Sequence, residues 1–378
     1  MRALRTLAFA SLCTVAMALP SSGLDLYTIG VSAALSGYLA VIDVPWRDGV
    51  VLAADGVNRR GGVLGRKVNV VVEDMRAEPA EAVTAVRKMI TSRGVGALVN
   101  GCSSAGNAAI APRVGQAQIP MMLCSILPAR VEDQQWAFSL LPAPAFEIEP
   151  RFAYLQKAGL KKIALLFDPT PYARAQKQSA EELASKFGLT IVGAEQYKPT
   201  DADMTAYFIK LKAAGAQAAL KLGTGPSTIT AAKAIKQLAV SMPLLSSTDD
   251  LSVLRSAADV LGGRLLFVAQ RIQVTNLLSK EDPSTRAAAE FLALWKSRYG
   301  DRDPTWGSRG WDAVQVLVAA ISDARSIDGA KVRQALERTA YHGVSGDLAF
   351  SAKSHYGVAN NPYLLAQLHD RTIEIVSR

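Results

Sequence analysis

Residues 28–72 contain TIGVSAAL (Thr28–Leu35), DGVVLAADGVN (Asp48–Asn58) and VNVVV (Val68–Val72) in succession. The first and third segments are short apolar runs typical of buried β-strands. The second has apolar residues at helical spacing, and Arg59-Arg60-Gly61-Gly62 after it indicates a helix end. A strand, a helix and a second strand joined by short connections predict a parallel sheet covered by helices.

The same alternation continues along the chain and then starts again. The next predicted elements are helices Pro79–Thr91 and Gly106–Ala117 and strands 97–99 and Met121–Leu123. The second series has predicted helices at Phe146–Ala158, Tyr172–Phe187, Thr205–Ala214 and Ser227–Leu238, and predicted strands at Lys162–Phe167, Thr190–Val192, Ala218–Leu222, Pro243–Ser246 and Leu265–Ala269. Three helices near Pro283–Tyr299, Arg309–Ala324 and Gly329–Thr339 and strand-like segments Leu348–Phe350, Leu364–Leu368 and Thr372–Val376 follow. This order predicts an α/β fold of two doubly wound parallel-sheet lobes.

The connection between the two series is short. Only Leu141-Pro142-Ala143-Pro144 separates them, and it has no low-complexity character. Two lobes joined without a flexible tether are expected to move about a hinge rather than to act as independent modules.

The composition excludes several classes of protein. The chain has 378 residues, of which 49% are hydrophobic, so disorder is excluded and two domains of about 100–200 residues each are expected. Three cysteines exclude a disulfide-stapled scaffold, and three histidines argue against a histidine-built metal site, so we expect neither metal nor cofactor. The net charge of +9 comes from scattered basic residues without a long basic run, so no nucleic-acid partner is expected.

Residues 1–23 have the layout of a cleaved secretory signal peptide. Arg2 and Arg5 precede the uncharged run Leu7–Leu19, which is too short for the roughly 20 apolar residues of a membrane span. We expect cleavage within Ala18–Leu24 and export to the periplasm. Removal of the two arginines lowers the net charge from +9 to +7.

One stretch carries a family pattern. Ala34-Leu35-Ser36-Gly37 is followed by Asn58-Arg59-Arg60-Gly61-Gly62-Val63-Leu64-Gly65-Arg66, by Glu73-Asp74, by Pro79-Ala80-Glu81-Ala82-Val83 and by Cys102-Ser103-Ser104. Weaker matches follow at Gly159–Phe167, Tyr172-Ala173, Lys210–Gly215 and Trp311-Asp312-Ala313. Together these segments resemble the type I periplasmic binding proteins of ABC importers, in the leucine/isoleucine/valine-binding branch.

The resemblance implies two lobes joined by three crossover strands that close over a ligand in the cleft. We expect residues 24–142 with 272–350 to form the first lobe and residues 143–271 with 351–378 to form the second. The expected partners are a small-molecule ligand and the membrane permease of an ABC importer. The protein itself is expected to be a monomer and not an enzyme.

The cleft loops supply the candidate binding residues. Loops after the carboxyl ends of parallel strands meet at the crevice of an open α/β sheet, and here they are rich in Ser, Thr and Gly. Ser103 and Ser104 precede a helix, so each could bind a ligand carboxylate or cap that helix. The other candidates, from these loops and from the resemblance, are Ile42, Cys124, Ser125, Ile126, Tyr172, Thr224, Asp249 and Asp250.

One departure from the family pattern bears on the ligand. The resemblance puts an aspartate that faces the ligand ammonium at position 144, where this chain has Pro144. A buried ammonium needs a carboxylate or several acceptors. We therefore expect a carboxylate without an α-amino group, aromatic or branched, with Ile42, Tyr172 and Phe146 making the pocket partly apolar. Asp249 or Asp250 could still serve an amino group, so a branched-chain or other amino acid stays the alternative.

Two alternative functions are a sensory binding module and a serine hydrolase. A sensory module that passes its closed complex to a receptor or kinase would use the same cleft. A serine hydrolase would need His342, His355 or His369 as its base, and each is expected to lie alone at the surface.

The cysteines and tryptophans are expected to have structural roles. Cys102 and Cys124 both end predicted strands; a disulfide is possible, but two separate buried thiols are the favoured interpretation. Trp295, Trp306 and Trp311 have helical surroundings and are expected in the core.

Overall fold

The structure is a computed structural model that describes residues 26–377 apart from 282, 359 and 371. The predicted signal peptide, residues 1–23, lies outside the described residues. The strands are β1 (Leu26–Ala33), β2 (Lys67–Asp74), β3 (Ala97–Asn100), β4 (Met121–Leu123), β5 (Ala137–Ser139), β6 (Lys162–Phe167), β7 (Thr190–Gln196), β8 (Ala218–Leu222), β9 (Leu244–Ser246), β10 (Leu265–Ala269), β11 (Ala340–Gly343), β12 (Gly346–Ala349), β13 (Leu364–His369) and β14 (Thr372–Ser377). The α-helices are α1 (Ala40–Arg59), α2 (Pro79–Ser92), α3 (Ser104–Ala117), α4 (Ala145–Lys157), α5 (Pro171–Leu183), α6 (Thr205–Ala213), α7 (Ser227–Gln237), α8 (Leu251–Leu261), α9 (Pro283–Tyr299), α10 (Thr305–Ala324) and α11 (Gly329–Leu336).

The first lobe is built on a five-stranded parallel sheet. Its spatial order is β2-β1-β3-β4-β5. β2 therefore lies on one side of β1, and β3, β4 and β5 follow in order on the other side. Helices α1, α2 and α10 pack against it, and α9 and α11 pack on this lobe through β11 and α10. One apolar core fills this lobe and contains Trp295, Trp306 and Trp311, as predicted.

The second lobe is built on a seven-stranded sheet. Its order is β14-β13-β10-β9-β8-β6-β7, and the strands from β10 to β7 are parallel. The last two strands of the chain, β13 and β14, add an antiparallel edge. The predicted class of two doubly wound α/β lobes is confirmed, with this antiparallel edge as an addition.

The chain crosses between the sheets three times, after β5, after β10 and after β12. The crossing segments are tied to one another. Arg309 of α10 donates from its guanidinium to the Leu140 carbonyl (2.7 Å) after β5 and to Gln270 Oε1 (2.6 Å) after β10. The third crossing segment pairs with the first, because Ser139 N–H donates to the His355 carbonyl at 2.8 Å. The three-strand hinge of the predicted fold is therefore present.

Several elements differ from the sequence prediction. Helix α1 begins at Ala40 rather than Asp48 and runs through Pro45, because Ile42 and Trp46 extend its buried face by two turns. Helix α8, which has 11 residues, and strand β5, which has three, were not predicted. Residues 348–350, predicted as a closing strand, contribute to the small hairpin of β11 and β12 instead. Within the described residues, no helix combines the length and apolar character that crossing a membrane would require.

Candidate ligand site between the lobes

A small cavity lies between the two lobes, at the carboxyl ends of their strands. We call it the inter-lobe cavity. Its first-lobe wall consists of Tyr38, Leu39, Cys102, Ser103, Ser104 and Ala105, and its second-lobe wall consists of Asp168, Thr170, Tyr172 and Thr224. Four of the predicted site residues meet here: Ser103, Ser104, Tyr172 and Thr224. Both lobes therefore contribute hydroxyl groups to the same cavity.

The first-lobe wall is the start of α3. Ser103 is the N-cap of this helix, and its Oγ accepts from Gly106 N–H at 3.1 Å. Ser104 is the first helical residue, and its Oγ accepts from Tyr172 N–H of the other lobe at 3.2 Å. The first turn of a helix presents N–H groups that have no acceptor within the helix. Ser103 thus does the capping, and Ser104 is the serine whose hydroxyl bridges the lobes.

A buried carboxylate holds this loop in place. Asp43 of α1 accepts from Ala34 N–H and from Cys102 N–H, each at 2.7 Å, and so ties the ends of β1 and β3 together. Burial raises the pKa of Asp43 to about 7, although the two backbone N–H groups counteract this effect. A Cβ on Gly101 would lie 2.4 Å from the Asp43 carboxylate, so a glycine is required beside it.

Cys102 and Cys124 form a disulfide, so the interpretation as two separate thiols was wrong. β3 and β4 are neighbours in register, with Asn100 opposite Leu123, and the two cysteines that follow have their Cα atoms 4.4 Å apart. This distance is within the range that a disulfide bridges. The sequence does not reveal the register of β3 and β4, which decides the pairing. The bond fixes the loop that carries Ser103 and Ser104.

The second-lobe wall contains an acid that the sequence analysis did not single out. Asp168, directly after β6, accepts from Thr170 N–H (2.9 Å) and Thr170 Oγ1 (2.5 Å). Burial raises the pKa of Asp168, while the bonds from Thr170 and the charge of Lys221 lower it. A carboxylate therefore lies opposite the start of α3.

A second buried acid lies behind Tyr172. Glu147, in the first turn of α4, accepts from the Tyr172 hydroxyl, from Gln176 Nε2 (3.0 Å) and from Thr248 N–H (3.1 Å). Burial raises its pKa, and the nearby Arg151 counteracts that effect. Glu147 thus fixes the orientation of Tyr172 at the cavity wall. It stands three residues after Pro144, in the helix where an acid was expected and not found.

Four predicted first-lobe residues lie behind the cavity wall. Ile42 is buried in the apolar core, and Ile126 is also buried. Ser125 Oγ accepts from Asn107 Nδ2 (3.0 Å) and donates to the Ile126 carbonyl (3.0 Å), while Cys124 is in the disulfide. None of these four residues lines the inter-lobe cavity.

The two predicted acids of the second lobe also lie elsewhere. Asp249 is fully buried and accepts from Gly225 N–H (2.9 Å) and Thr228 Oγ1 (3.1 Å). Asp250 caps α8 by accepting from Ser252 N–H (2.8 Å), and it lines a separate groove with Asp303. Asp249 therefore stabilises the loop at Gly225 and Asp250 caps α8, and neither lines the inter-lobe cavity.

Three residues of the cavity wall that the sequence analysis did not name lie in loops that directly follow predicted strands. Tyr38 falls in the loop after β1, and Asp168 and Thr170 fall in the loop after β6. Strand-end position is the signal that finds the loop, but it does not say which side chain points into the cleft.

None of the three histidines lines the inter-lobe cavity of the described structure. Of the three histidines expected at the surface, His355 is instead buried, stacked on Phe138 with ring centroids 4.1 Å apart. The part of the chain that the structure describes contains no cluster of three His, Cys, Asp or Glu side chains able to hold a metal ion.

Comparison with known proteins agrees with this architecture. A sequence profile of the family described as "Periplasmic binding protein" matches residues 27–372. A Leu/Ile/Val-binding protein homolog of Brucella abortus is 22% identical over 316 residues, covering 80% of this chain and 78% of that protein. A leucine-, isoleucine-, valine-, threonine- and alanine-binding protein of Pseudomonas aeruginosa is 21% identical and covers 91% of each chain.

Solved structures share the fold. An extracellular ligand-binding receptor from Rhodopseudomonas palustris superposes with a TM-score of 0.85 at 17% identity, covering 93% of this chain and all of that one. A branched-chain amino acid transporter substrate-binding protein from Streptococcus pneumoniae, in complex with isoleucine, gives a TM-score of 0.79 at 21% identity, covering 94% and 100%. With the family profile spanning nearly all of its described residues, the chain belongs to the type I periplasmic binding proteins of the branched-chain amino acid family.

Proposed function

We propose that this protein is the solute-binding component of an ABC importer and that its ligand is an amino acid held in the inter-lobe cavity. The observation that carries the proposal is that an anion-binding helix start and a carboxylate lie on opposite sides of that cavity. The start of α3 with Ser104 lies on one side, and the Asp168 carboxylate lies on the other. Relatives whose names state amino-acid binding support the same class of ligand.

The ligand carboxylate would bind at the first lobe. Free N–H groups and the positive end of the helix dipole favour an anion at the start of α3. The Ser104 hydroxyl adds a donor, since its present bond only uses Oγ as an acceptor from Tyr172 N–H. Ser103 Oγ is already occupied with Gly106 N–H and would support the site by keeping the helix start ordered.

The ligand amino group would bind at the second lobe. Asp168 is largely buried, and an ammonium group would supply the positive charge that a buried carboxylate requires. Thr170 and Thr224 line the same wall and offer further acceptors.

A carboxylate without an α-amino group is the second candidate. The observation that favours it is Pro144 at the start of α4, where the family pattern has an aspartate. The two candidates share the binding of the carboxylate at α3 and differ only in whether Asp168 has a charged partner on the ligand.

Closure follows from a ligand that contacts both lobes. Only the closed form makes both sets of contacts, so the ligand shifts the population toward it. The crossing segments after β5 and β10, which Arg309 ties together, are where the hinge would lie. The closed complex would then dock on a membrane permease in the periplasm, after export directed by residues 1–23.

The test is a thermal-shift screen with ligand pairs that differ only in the amino group. Leucine is paired with 4-methylpentanoate, phenylalanine with 3-phenylpropanoate, and benzoate is added alone. A ligand at about 100 times its Kd stabilises the folded state by about 2.7 kcal/mol. The proposal predicts a clear Tm increase with at least one amino acid and less with its partner; the second candidate predicts the reverse.

The variants Ser104→Ala and Asp168→Asn assign the two ends of the ligand. Ser104→Ala should weaken both members of a pair equally, whereas Asp168→Asn should weaken only the amino acid. Stabilisation by neutral sugars but by no carboxylate would overturn both candidates.

A further inference from the structure

A second hydrogen bond joins the two lobes away from the inter-lobe cavity. Leu251, the first residue of α8, donates its backbone N–H to Asp303 Oδ2 at 2.7 Å. Asp303 lies in the turn between α9 and α10, and neither residue lines the inter-lobe cavity. We call this contact the cross-lobe bond.

Each end of the cross-lobe bond is anchored in its own lobe. In the turn before α10, Arg302 donates from Nη1 to Asp48 Oδ2 of α1 at 2.9 Å, and its carbonyl accepts from Trp295 Nε1 of α9 at 2.8 Å. These bonds hold the turn on the first lobe. On the other side, the Leu251 side chain belongs to a buried apolar cluster of the second lobe with Phe267 of β10. The bond therefore breaks when the lobes separate.

The carboxylate of Asp303 serves the starts of two helices at once. Its Oδ1 accepts from Thr305 N–H (3.0 Å) and Thr305 Oγ1 (2.6 Å) of α10, while its Oδ2 accepts from Leu251 N–H of α8. The first N–H groups of a helix have no acceptor within the helix, and a negative charge there is favourable. Separation of the lobes would leave the bonds to α10 intact and remove the acceptor of α8. The cross-lobe bond thus favours the closed arrangement specifically.

The surroundings of the cross-lobe bond shield it in part from water. It lies at a groove whose first-lobe side includes Val41 and Pro45 of α1 and whose second-lobe side includes Ser252 and Arg255 of α8. Asp303 is half-buried there. A hydrogen bond to a charged acceptor is stronger than one between neutral groups, and partial burial strengthens it further.

We propose that the cross-lobe bond is a latch, which stabilises the closed arrangement of the lobes before a ligand is bound and so raises the affinity for every ligand of the inter-lobe cavity by the same factor. The inference rests on the proposed function, in that closure accompanies ligand binding. Apparent affinity falls in proportion to the population of the form that is competent to bind. Since the latch contacts no ligand, it changes affinity without changing the preference between ligands.

The latch can be removed from either side. Leu251→Pro deletes the donor, and proline is favoured at the first position of a helix. Asp250 before it has φ −66° and ψ 141°, the extended conformation that a following proline requires. Leu251→Ala is the matched control, because it also loses the leucine side chain but keeps the N–H. Asp303→Asn breaks the bond from the first lobe, since an amide has one oxygen where the carboxylate has two.

The first test needs no ligand. Small-angle X-ray scattering of exhaustively dialysed protein gives the radius of gyration of wild type, Leu251→Pro, Leu251→Ala and Asp303→Asn. Leu251→Pro and Asp303→Asn should have a larger radius than wild type and Leu251→Ala, because more of their molecules are open. Equal radii in all four proteins would overturn the proposal. Should Leu251→Pro not fold, Asp303→Asn against wild type decides the outcome.

The second test measures affinity by calorimetric titration with leucine and 4-methylpentanoate. For each probe that binds, Kd should rise about three- to tenfold in Leu251→Pro relative to Leu251→Ala, with the ratio between two bound probes unchanged. The double variant Leu251→Pro/Asp303→Asn should bind no more weakly than Asp303→Asn, because both changes remove the same bond. A changed ratio or additive losses would overturn the latch. If wild type binds neither probe, the proposed ligand fails while the scattering experiment still decides the latch.

Discussion

The contact between α1 and α10 supports a sharp prediction, because two glycines of α1 have opposite surroundings. A Cβ on Gly49 would lie 1.9 Å from the Gly307 carbonyl oxygen of α10, whereas a Cβ on Gly56 would have its nearest neighbour at 3.6 Å. Both glycines are helical. Gly49→Ala and Gly56→Ala therefore make the same chemical change in the same helix. The new methyl group collides with the backbone of α10 in Gly49→Ala, whereas in Gly56→Ala it makes ordinary van der Waals contacts.

The expected magnitudes follow from two opposing effects. Replacing a helical glycine by alanine gains about 0.5–1 kcal/mol in either position. In Gly49→Ala the helices must separate, and overpacking of a filled core costs about 1–3 kcal/mol or more. Gly56→Ala should therefore be slightly more stable than wild type, and Gly49→Ala less stable by about 1–2 kcal/mol or more.

Differential scanning calorimetry of both variants in one buffer measures the difference. In domains of comparable size, 1 kcal/mol corresponds to about 2–4 °C in Tm. Gly49→Ala should melt several degrees below Gly56→Ala. Equal Tm values for the two variants would show that α1 and α10 do not pack backbone to backbone.

Three more predictions concern the site and the hinge. Ser103→Ala should cost about 1 kcal/mol of unfolding free energy through loss of the α3 cap and leave ligand binding nearly unchanged. Ser104→Ala removes the acceptor of the Tyr172 N–H and should cost about 0.5–1.5 kcal/mol while weakening ligand binding about tenfold. Urea unfolding and calorimetric titration measure the two effects, and equal loss of ligand binding in both variants would contradict the division of roles. Arg309→Met leaves two buried oxygens of the crossing segments without their donor and should cost about 2–5 kcal/mol in urea unfolding; an unaltered midpoint would speak against the hinge ties. Burial raises the pKa of Asp303 from 3.8 to about 7, with the charge of a neighbouring aspartate acting in the same direction. Its stabilising contribution is therefore complete below pH 3.8 and is lost as pH rises through about 7. Wild type should lose more stability than Asp303→Asn between pH 5 and pH 8, and parallel pH profiles would refute this.

The fold was largely predictable because its signals are local. Strand Leu265–Ala269 coincides with β10, and the predicted helix Ser227–Leu238 differs from α7 by one residue at its end. Helix α1 was predicted too short, and it runs through Pro45, a residue type that ordinarily breaks a helix. Its effect is overridden by the burial of Ile42 and Trp46, which depends on tertiary packing.

The site was predictable only at the level of loops. Strand ends selected the segments that carry Ser104 and Tyr172, and the structure brings both residues to the inter-lobe cavity. The disulfide depends on the register of β3 against β4. Whether Asp168 or Asp249 lines the cavity depends on the direction of each side chain. Strand register and side-chain direction both depend on tertiary structure, and no local sequence pattern encodes them. For this reason the sequence did not identify Asp168 as a residue of the cavity wall.

Native mass spectrometry of the protein purified without denaturation tests the central claim most directly. The mass of any bound compound is measured and the compound is then extracted and identified, in parallel for wild type and Ser104→Ala. We predict one amino acid per chain in wild type and a strongly reduced occupancy in the variant. A bound compound without a carboxylate, or the same occupancy in both proteins, would contradict a ligand site built on the start of α3.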